Sequence, residues 1–353
     1  MNLGGQELRV LLEMERMAGR GFGSILAARP GSRILDEARR RGLNAYAVEM
    51  RGSFDPLAVA RLLHIILRER IDIVNAHGSK DGWSAGIAAR LCGRKVIRSR
   101  HIANPIRSHF MGRLVYGALC DKIVTTSESI KTGMVEKGVL AEKIISVPTG
   151  IDIAAFDYRR EKGKYRSEFG IPPGAFLVGM VSVLRGDKGP DVFIKAAGVL
   201  LEKSDDIFFT LVGDGWMSGR IKDMVSGLKD KDKIILPGYR RDIPNIMADL
   251  DVLSLPARAP EGVPQVILQA HAMMVPVIAS DIGGINEVAI PGKTSLSINP
   301  GDHEELADAI LELYKNRGKA GTLALEGHRL ASENYTLEGM LDKMEALYRQ
   351  ALA

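Results

Sequence analysis

Short apolar runs alternate with amphipathic segments of roughly 10–15 residues along this chain, and the alternation is written twice. In the first half, helices are expected at Glu7–Arg20, Ser32–Arg41, Pro56–Arg70, Trp83–Cys92, Arg107–Leu119 and Ser127–Lys137. The strands between them read Phe22–Ala28, Ala45–Glu49, Asp72–Ala76, Lys95–Arg100, Lys122–Thr125 and Ile144–Val147. The second half gives strands Leu177–Val183, Ile207–Val212, Lys233–Leu236, Val252–Leu255 and Val277–Ala279. Its helices read Pro190–Glu202, Met217–Leu228, Ile243–Ala248, Pro264–Met273, a short one near Gly284–Val288, His303–Asn316 and Leu337–Leu352. Short strands without polar alternation, separated by helices, are the pattern of a parallel sheet covered on both faces. The break falls at 148–174, which holds Pro148, Gly150, Gly163, Gly170, Pro172, Pro173, Gly174 and the charged run Arg159–Lys164.

The 353 residues suit two domains. With 46% hydrophobic and 26% charged residues, disorder and coiled coil are excluded. The longest apolar runs, such as Leu62–Leu67 (interrupted by His64), fall far short of the ~20 residues of a membrane span. Two cysteines, Cys92 and Cys120, make neither a disulfide framework nor a four-cysteine zinc site. Gly4, Gly5 and Glu7 interrupt any secretory leader, so a cytoplasmic location is expected. Charge is unevenly shared. Residues 1–155 carry 24 Lys/Arg against 15 Asp/Glu, a net +9, and the remainder is net −4. A basic half suits an anionic acceptor or the face of an anionic membrane. Aromatic residues are only 5% and do not interleave with the basic runs, so nucleic acid is not an expected partner.

A doubly wound half opens on an apolar strand that runs into the first Gly-rich loop. Here Met1-Asn2-Leu3-Gly4-Gly5 is already that loop, so the first domain is expected to be short of its first strand.

The segment richest in chemistry is Glu261-Gly262-Val263-Pro264-Gln265-Val266-Ile267-Leu268-Gln269-Ala270. A carboxylate and a glycine follow a strand, and a helix begins behind them. Backbone N–H groups at a helix start, with the positive end of its dipole, attract an anion. The amide of Gln269, further along the helix, suits a polar ligand such as a ribose diol. The run continues Val275-Pro276-Val277-Ile278-Ala279-Ser280-Asp281-Ile282-Gly283-Gly284-Ile285-Asn286-Glu287.

This segment resembles the donor-binding signature of retaining glycosyltransferases of family 4. That signature has two acidic residues separated by seven others, then a G-x-P-V-x-A-S/T-x-x-G-G run, whose opening Gly is Met274 here. The form resembles the branch of lipopolysaccharide and cell-surface glycan transferases. Other stretches resemble the same family in order along the chain: Gly4-Gly5-Gln6-Glu7, Asn75-Ala76-His77, Arg100-His101, Pro148-Thr149-Gly150-Ile151-Asp152, Val183–Gly189 and Val212-Gly213-Asp214-Gly215.

The resemblance implies a GT-B fold: two Rossmann-like, doubly wound parallel-sheet domains facing a cleft. Residues 1–155 would bind the acceptor and 156–336 the donor, with helix 337–353 crossing back to the first domain. It implies a nucleotide-sugar donor, a glycan or lipid-linked acceptor, retention of configuration, and neither metal nor other cofactor. Catalysis is expected to rest on His101 and Glu261. Donor contacts are expected from Gly4, Gly5, Arg185, Lys188, the loop Gly238-Tyr239-Arg240, the run Glu261-Gly262-Val263-Pro264-Gln265-Val266, and Gln269. His77 and Arg100 would face the acceptor. Glu261 would hold sugar hydroxyls. Lys188, with Arg185 in place of an Arg that the family has at Val183, would neutralise the diphosphate. Gln269 stands where the family has its second carboxylate and keeps hydrogen-bonding capacity without charge.

Plainer roles compete. Glu261 could serve only a helix start, and Arg185 could be a solvated charge. His64, His109, His271, His303 and His328 have no motif around them and read as structural. Asp249-Leu250-Asp251 precedes a buried strand and reads as structural rather than metal-binding. Two other functions fit the same residues: a sugar-nucleotide binder without activity, and another GT-B enzyme such as a nucleotide-sugar epimerase.

Overall fold

The computed structural model describes residues 4–52, 55–78, 81–101 and 114–353. The chain forms two compact units: 4–149 with 338–353, and 150–337. Most of the expected helix Arg107–Leu119, with Arg107, His109 and Arg113, lies outside the described residues. Its end, Leu114–Ala118, is a π-helical turn.

In the second unit, strands β7 (Phe176–Val181), β8 (Ile207–Val212), β9 (Ile234–Gly238), β10 (Val252–Leu255), β11 (Val277–Ser280) and β12 (Ser295–Ile298) form one parallel sheet. Its order is β12-β11-β10-β7-β8-β9. The first strand of the unit is therefore central, and the chain order reverses between β7 and β10. Helices Pro190–Leu201 and His303–Lys315 help bury one face around Phe193, Leu200, Phe209 and Ile310. Helix Gln265–Ala272 packs the other with Leu177, Leu253, Ile267 and Leu268. Each such side chain contributes about 1.5–3 kcal/mol through burial. Side-chain packing sets where one glycine stands: a Cβ on Gly179 in β7 would lie 2.5 Å from the Leu250 side chain.

In the first unit, α1 (Gly5–Ala18), α2 (Arg33–Arg40), α3 (Pro56–Arg68) and α4 (Asp81–Leu91) alternate with strands. Here the sheet is in two pieces. β1 (Leu26–Ala28) pairs only with β2 (Ala45–Ala47) among the described residues. β3 (Ile73–Ala76), β4 (Lys95–Arg100), β5 (Lys122–Thr125) and β6 (Ile144–Ser146) form a separate parallel sheet in that order. α3 starts where Asp55 accepts hydrogen bonds from the Leu57 and Ala58 N–H groups, with Pro56 at its first position. It stops at Arg68, short of the expected Arg70, because Arg70 turns to φ +53°. The C-terminal helix Leu337–Leu352 belongs to this unit. Arg20 reaches Glu338, Asp342 and Glu345 on it, and Tyr348 bonds Glu13 and Asn75.

Among the described residues, helices Lys164–Glu168 and Arg317–Asn334 and edge strand β12 are additional to the helices and strands read from sequence. No helix of the described residues is long and apolar enough to cross a membrane.

Candidate functional site

In open parallel sheets, ligands bind beyond the carboxyl ends of the strands where chain order reverses. In the second unit that place lies between the loops after β7 and β10. The β7 loop carries Arg185 and a 3-10 turn, Gly186–Lys188, then Gly189 at φ +72°. The β10 loop carries Pro256–Pro264 and ends in helix Gln265–Ala272.

Backbone contacts lock the two loops together. The Arg258 N–H donates to the Asp187 carbonyl at 2.8 Å. Gly189 lies so close to the Pro256 carbonyl that a Cβ there would sit 1.9 Å from its oxygen. On this frame the Lys188 ammonium pairs with Glu261 Oε2. Both side chains are largely shielded, 19% and 14% exposed. The other carboxylate oxygen, Glu261 Oε1, is buried with no hydrogen-bond partner among the described residues. A buried acceptor without a donor is costly, and a ligand hydroxyl is the kind of group that removes the cost.

A third loop holds Glu261 from behind. The Gly284 N–H donates to the Glu261 carbonyl at 2.9 Å. Gly283, at φ +60°, sits where a Cβ would be 3.2 Å from both the Glu261 N and O. The Gly-Gly turn thus fixes the backbone that aims the carboxylate. Gly262, Val263 and Pro264 are buried, whereas Gln265, Val266 and Gln269 are partly exposed. Gln269 stands one helical turn after Gln265.

Other expected donor residues are placed differently. Arg185 is 47% exposed and pairs with Asp187 at 2.9 Å. Gly238 turns at φ +74°, and its carbonyl accepts from the Gly213 N–H. Tyr239 is exposed. Arg240 engages Glu168 and Asp242 with its guanidinium, which fixes it to helix Lys164–Glu168. Asp249 accepts from the Gly163 and Arg166 N–H groups, and Asp251 from Arg166 and the Leu177 N–H. This acidic pair anchors the start of the unit.

In the first unit, His77 follows β3 and His101 follows β4. Their rings stack at 5.3 Å, with His77 Nδ1 and His101 Nε2 3.0 Å apart. Burial, with Arg9 nearby, pushes the His77 imidazole down to about 3. Burial, His77 and Arg9 hold His101 well below the usual histidine range. Both rings are therefore neutral at pH 7, one nitrogen donating and the other accepting. The Gln6 amide donates to the His77 carbonyl at 3.3 Å, which brings the start of α1 to this corner. Gly4 caps that helix and donates its N–H to the Glu7 carboxylate. Arg100 Nη1 donates to the Tyr116 hydroxyl at 2.6 Å.

Two residues of consequence carry no motif. Arg9, 2% exposed, donates to the Val147 carbonyl at 2.7 Å and so anchors the chain just after β6. Its signal is a charge inside the apolar stripe of α1, with Glu13 one turn on. Arg258 pairs with buried Asp191 at 2.9 Å and steadies the two-loop frame.

Residues 3–155 match the model for Glycosyltransferase Family 4, and residues 161–327 match that for Glycosyl transferases group 1. An Escherichia coli relative, the UDP-Gal:alpha-D-GlcNAc-diphosphoundecaprenol alpha-1,3-galactosyltransferase, is 32% identical over 246 residues. The match covers 66% of this chain and 63% of that protein, so the chain spans less than two thirds of it. A crystal structure of a glycosyltransferase from Rickettsia africae ESF-5 superposes with a TM-score of 0.87 at 22% identity, covering 99% of this chain and 95% of that one. The Anabaena protein Alr3699/HepE, crystallised with UDP and glucose, gives 0.86 at 21% identity, over 99% and 96% of the two chains. These likenesses show the GT-B fold. The first part of the chain thus matches the Glycosyltransferase Family 4 model and the second part the Glycosyl transferases group 1 model, in that order.

Proposed function

We propose that this protein transfers a sugar, with retention of configuration, from a nucleoside-diphosphate sugar to a glycan or lipid-linked acceptor. The observation that carries the reading is the Lys188–Glu261 pair at the switch point, with Glu261 Oε1 buried and unpartnered. The family domains and the E. coli relative, named for a UDP-sugar donor and a lipid-linked acceptor, support it.

On donor binding, the diphosphate takes Lys188 from Glu261, and the sugar hydroxyls donate to the carboxylate so released. Cation and anion change partners rather than being desolvated unpaired, which keeps the exchange cheap in a shielded site. Lys188 then stabilises the charge that grows on the leaving diphosphate, with Arg185 turning from Asp187 to assist. This cationic role stands in for a metal. Gln269 bonds the ribose, and the Gly238-Tyr239-Arg240 loop faces the base. The neutral His101, oriented by His77, donates a hydrogen bond to the sugar rather than a proton to the reaction. The basic first half draws an anionic acceptor and brings the protein to the surface of an anionic membrane.

The test is transfer of labelled sugar from a panel of UDP- and GDP-sugars to lipid-linked glycan acceptors, with the product anomer read by NMR. Transfer that survives EDTA, retains configuration and vanishes in Glu261→Ala is expected. An inverted product, or donor isomerised without acceptor, would overturn the reading.

A further inference from the structure

The corner of the first unit that holds His77 and His101 stands on a second polar pair. Asn75 lies two residues before His77 on β3, and Ser99 two residues before His101 on β4. Side chains two apart along a strand share a face. The Ser99 hydroxyl donates to Asn75 Oδ1 at 2.9 Å, one rung below the 3.0 Å approach of the two rings. β3 and β4 keep one register, Asn75 against Ile97 and Ala76 against Arg98, so both pairs make the same diagonal step between the strands.

The line of contacts continues away from the rings. The Asn75 amide donates to the Tyr348 hydroxyl at 3.0 Å, and that hydroxyl donates to Glu13 at 2.6 Å. Tyr348 comes from the C-terminal helix and Glu13 from α1. Arg9, one turn before Glu13, brings its charge to bear on Glu13 and on both rings. Arg9, Glu13 and Ser99 are buried. Four segments thus meet in one line of polar groups, Glu13–Tyr348–Asn75–Ser99, that ends beneath the histidine pair. Apolar side chains would hold α1 and the C-terminal helix to the sheet without desolvating polar groups. A connected polar line instead fixes the orientation of every group in it.

Orientation decides what the rings can do. A neutral imidazole carries one N–H. Two neutral rings joined Nδ1 to Nε2 therefore have two arrangements. With the shared proton on His77 Nδ1, His101 Nε2 accepts it and His101 Nδ1 carries the N–H of its ring. With the shared proton on His101 Nε2, His77 Nδ1 accepts it and His101 Nδ1 is an acceptor. The same nitrogen of His101 then offers a ligand the opposite chemistry.

We propose that Tyr348, Asn75 and Ser99 are positioning residues that hold His77 and His101 in one of these two arrangements. The choice between the two rests on the reading of His101 as a donor to the sugar, which requires the proton on Nδ1 of both rings. The test is nitrogen NMR of the imidazoles near pH 7 in wild type, Tyr348→Phe, Ser99→Ala and Arg20→Ala. A fixed neutral ring gives one pyrrole-like and one pyridine-like nitrogen, and exchange between tautomers averages them. Wild type is expected to show both rings fixed, with the proton on Nδ1. Tyr348→Phe and Ser99→Ala should draw the two nitrogen shifts of each ring together. Arg20→Ala loosens the same C-terminal helix through Glu338, Asp342 and Glu345 and should leave the rings as in wild type. Rings already averaged in wild type, rings unmoved in either column variant, or rings changed equally in Arg20→Ala would overturn the proposal. Ser99→Ala removes a single hydroxyl and decides alone if Tyr348→Phe does not fold. Rings fixed on Nε2 in wild type and released in the variants would support the positioning residues and overturn His101 as a donor, which separates the two readings.

Discussion

Lys188 and Glu261 pair across the reversal of strand order in the second unit, one from the loop after β7 and one from the loop after β10. Neither loop reaches that place alone. The turn at Gly189, the Arg258–Asp187 backbone bond and the Gly283-Gly284 turn hold the two loops in one frame. Several glycines and two backbone hydrogen bonds therefore stand behind one ion pair.

Gly189→Ala tests that frame. The new Cβ would meet the Pro256 carbonyl at 1.9 Å at a φ that L residues disfavour. Urea unfolding should show a loss of about 2–4 kcal/mol, with donor binding lost as well. Gly174→Ala, where a Cβ meets nothing within 4 Å, should stay within ~0.5 kcal/mol.

The C-terminal helix is held by two unlike devices. Arg20 bridges three carboxylates, two of them well exposed, so Arg20→Ala should cost up to ~1 kcal/mol at low salt and less in ~1 M salt. Tyr348→Phe leaves Glu13 and Asn75 without their shared hydroxyl and should cost about 1–3 kcal/mol at any salt. Denaturation at two ionic strengths separates them.

His271 gives the second unit a pH dependence. Burial holds its imidazole down at about 4, with its Nε2 against the Val288 carbonyl. The unfolded chain, near ~6.5, binds the proton more readily. The stability His271 contributes is thus complete above ~6.5 and is lost as pH falls toward 4, by on the order of 3 kcal/mol in all. The difference in Tm between wild type and His271→Asn should shrink from pH 7 to pH 5. A difference that grows on acidification contradicts this.

The stacked pair His77 and His101 should remain uncharged through the same range. Two-dimensional NMR of the imidazoles should show neutral shifts for both from pH 8 to pH 5. Titration of either ring near ~6.5 would mean that the corner is open to water.

Much of this molecule is legible in its sequence because its strands are apolar on both faces. Ile207–Val212 and Val252–Leu255 need no partner information to be read. Helix Arg317–Asn334 is not legible, since Gly318, Gly321 and Gly327 resemble breakers. Gly327 is there because His271 packs against it: a Cβ would lie 2.3 Å from Nδ1. The strand expected at Phe22–Ala28 is shorter, Leu26–Ala28, because a ladder extends only as far as a neighbouring strand runs beside it. Among the described residues β1 has such a neighbour only in β2. Of the candidate site, Lys188 and Glu261 come from motif. Arg9 and Arg258 act through contacts 138 and 67 residues away in the chain, which no local pattern encodes.

The central claim is that Lys188 holds the diphosphate and Glu261 the sugar. Calorimetric titration of wild type, Lys188→Ala and Glu261→Ala with a nucleoside diphosphate and with its sugar tests it directly. Lys188→Ala should weaken both ligands about 10-fold or more, as expected for a lost charged hydrogen bond. Glu261→Ala should weaken the nucleotide sugar by a similar factor and leave the free diphosphate bound as tightly as before, or tighter. Wild-type affinities for both ligands in both variants would contradict the account.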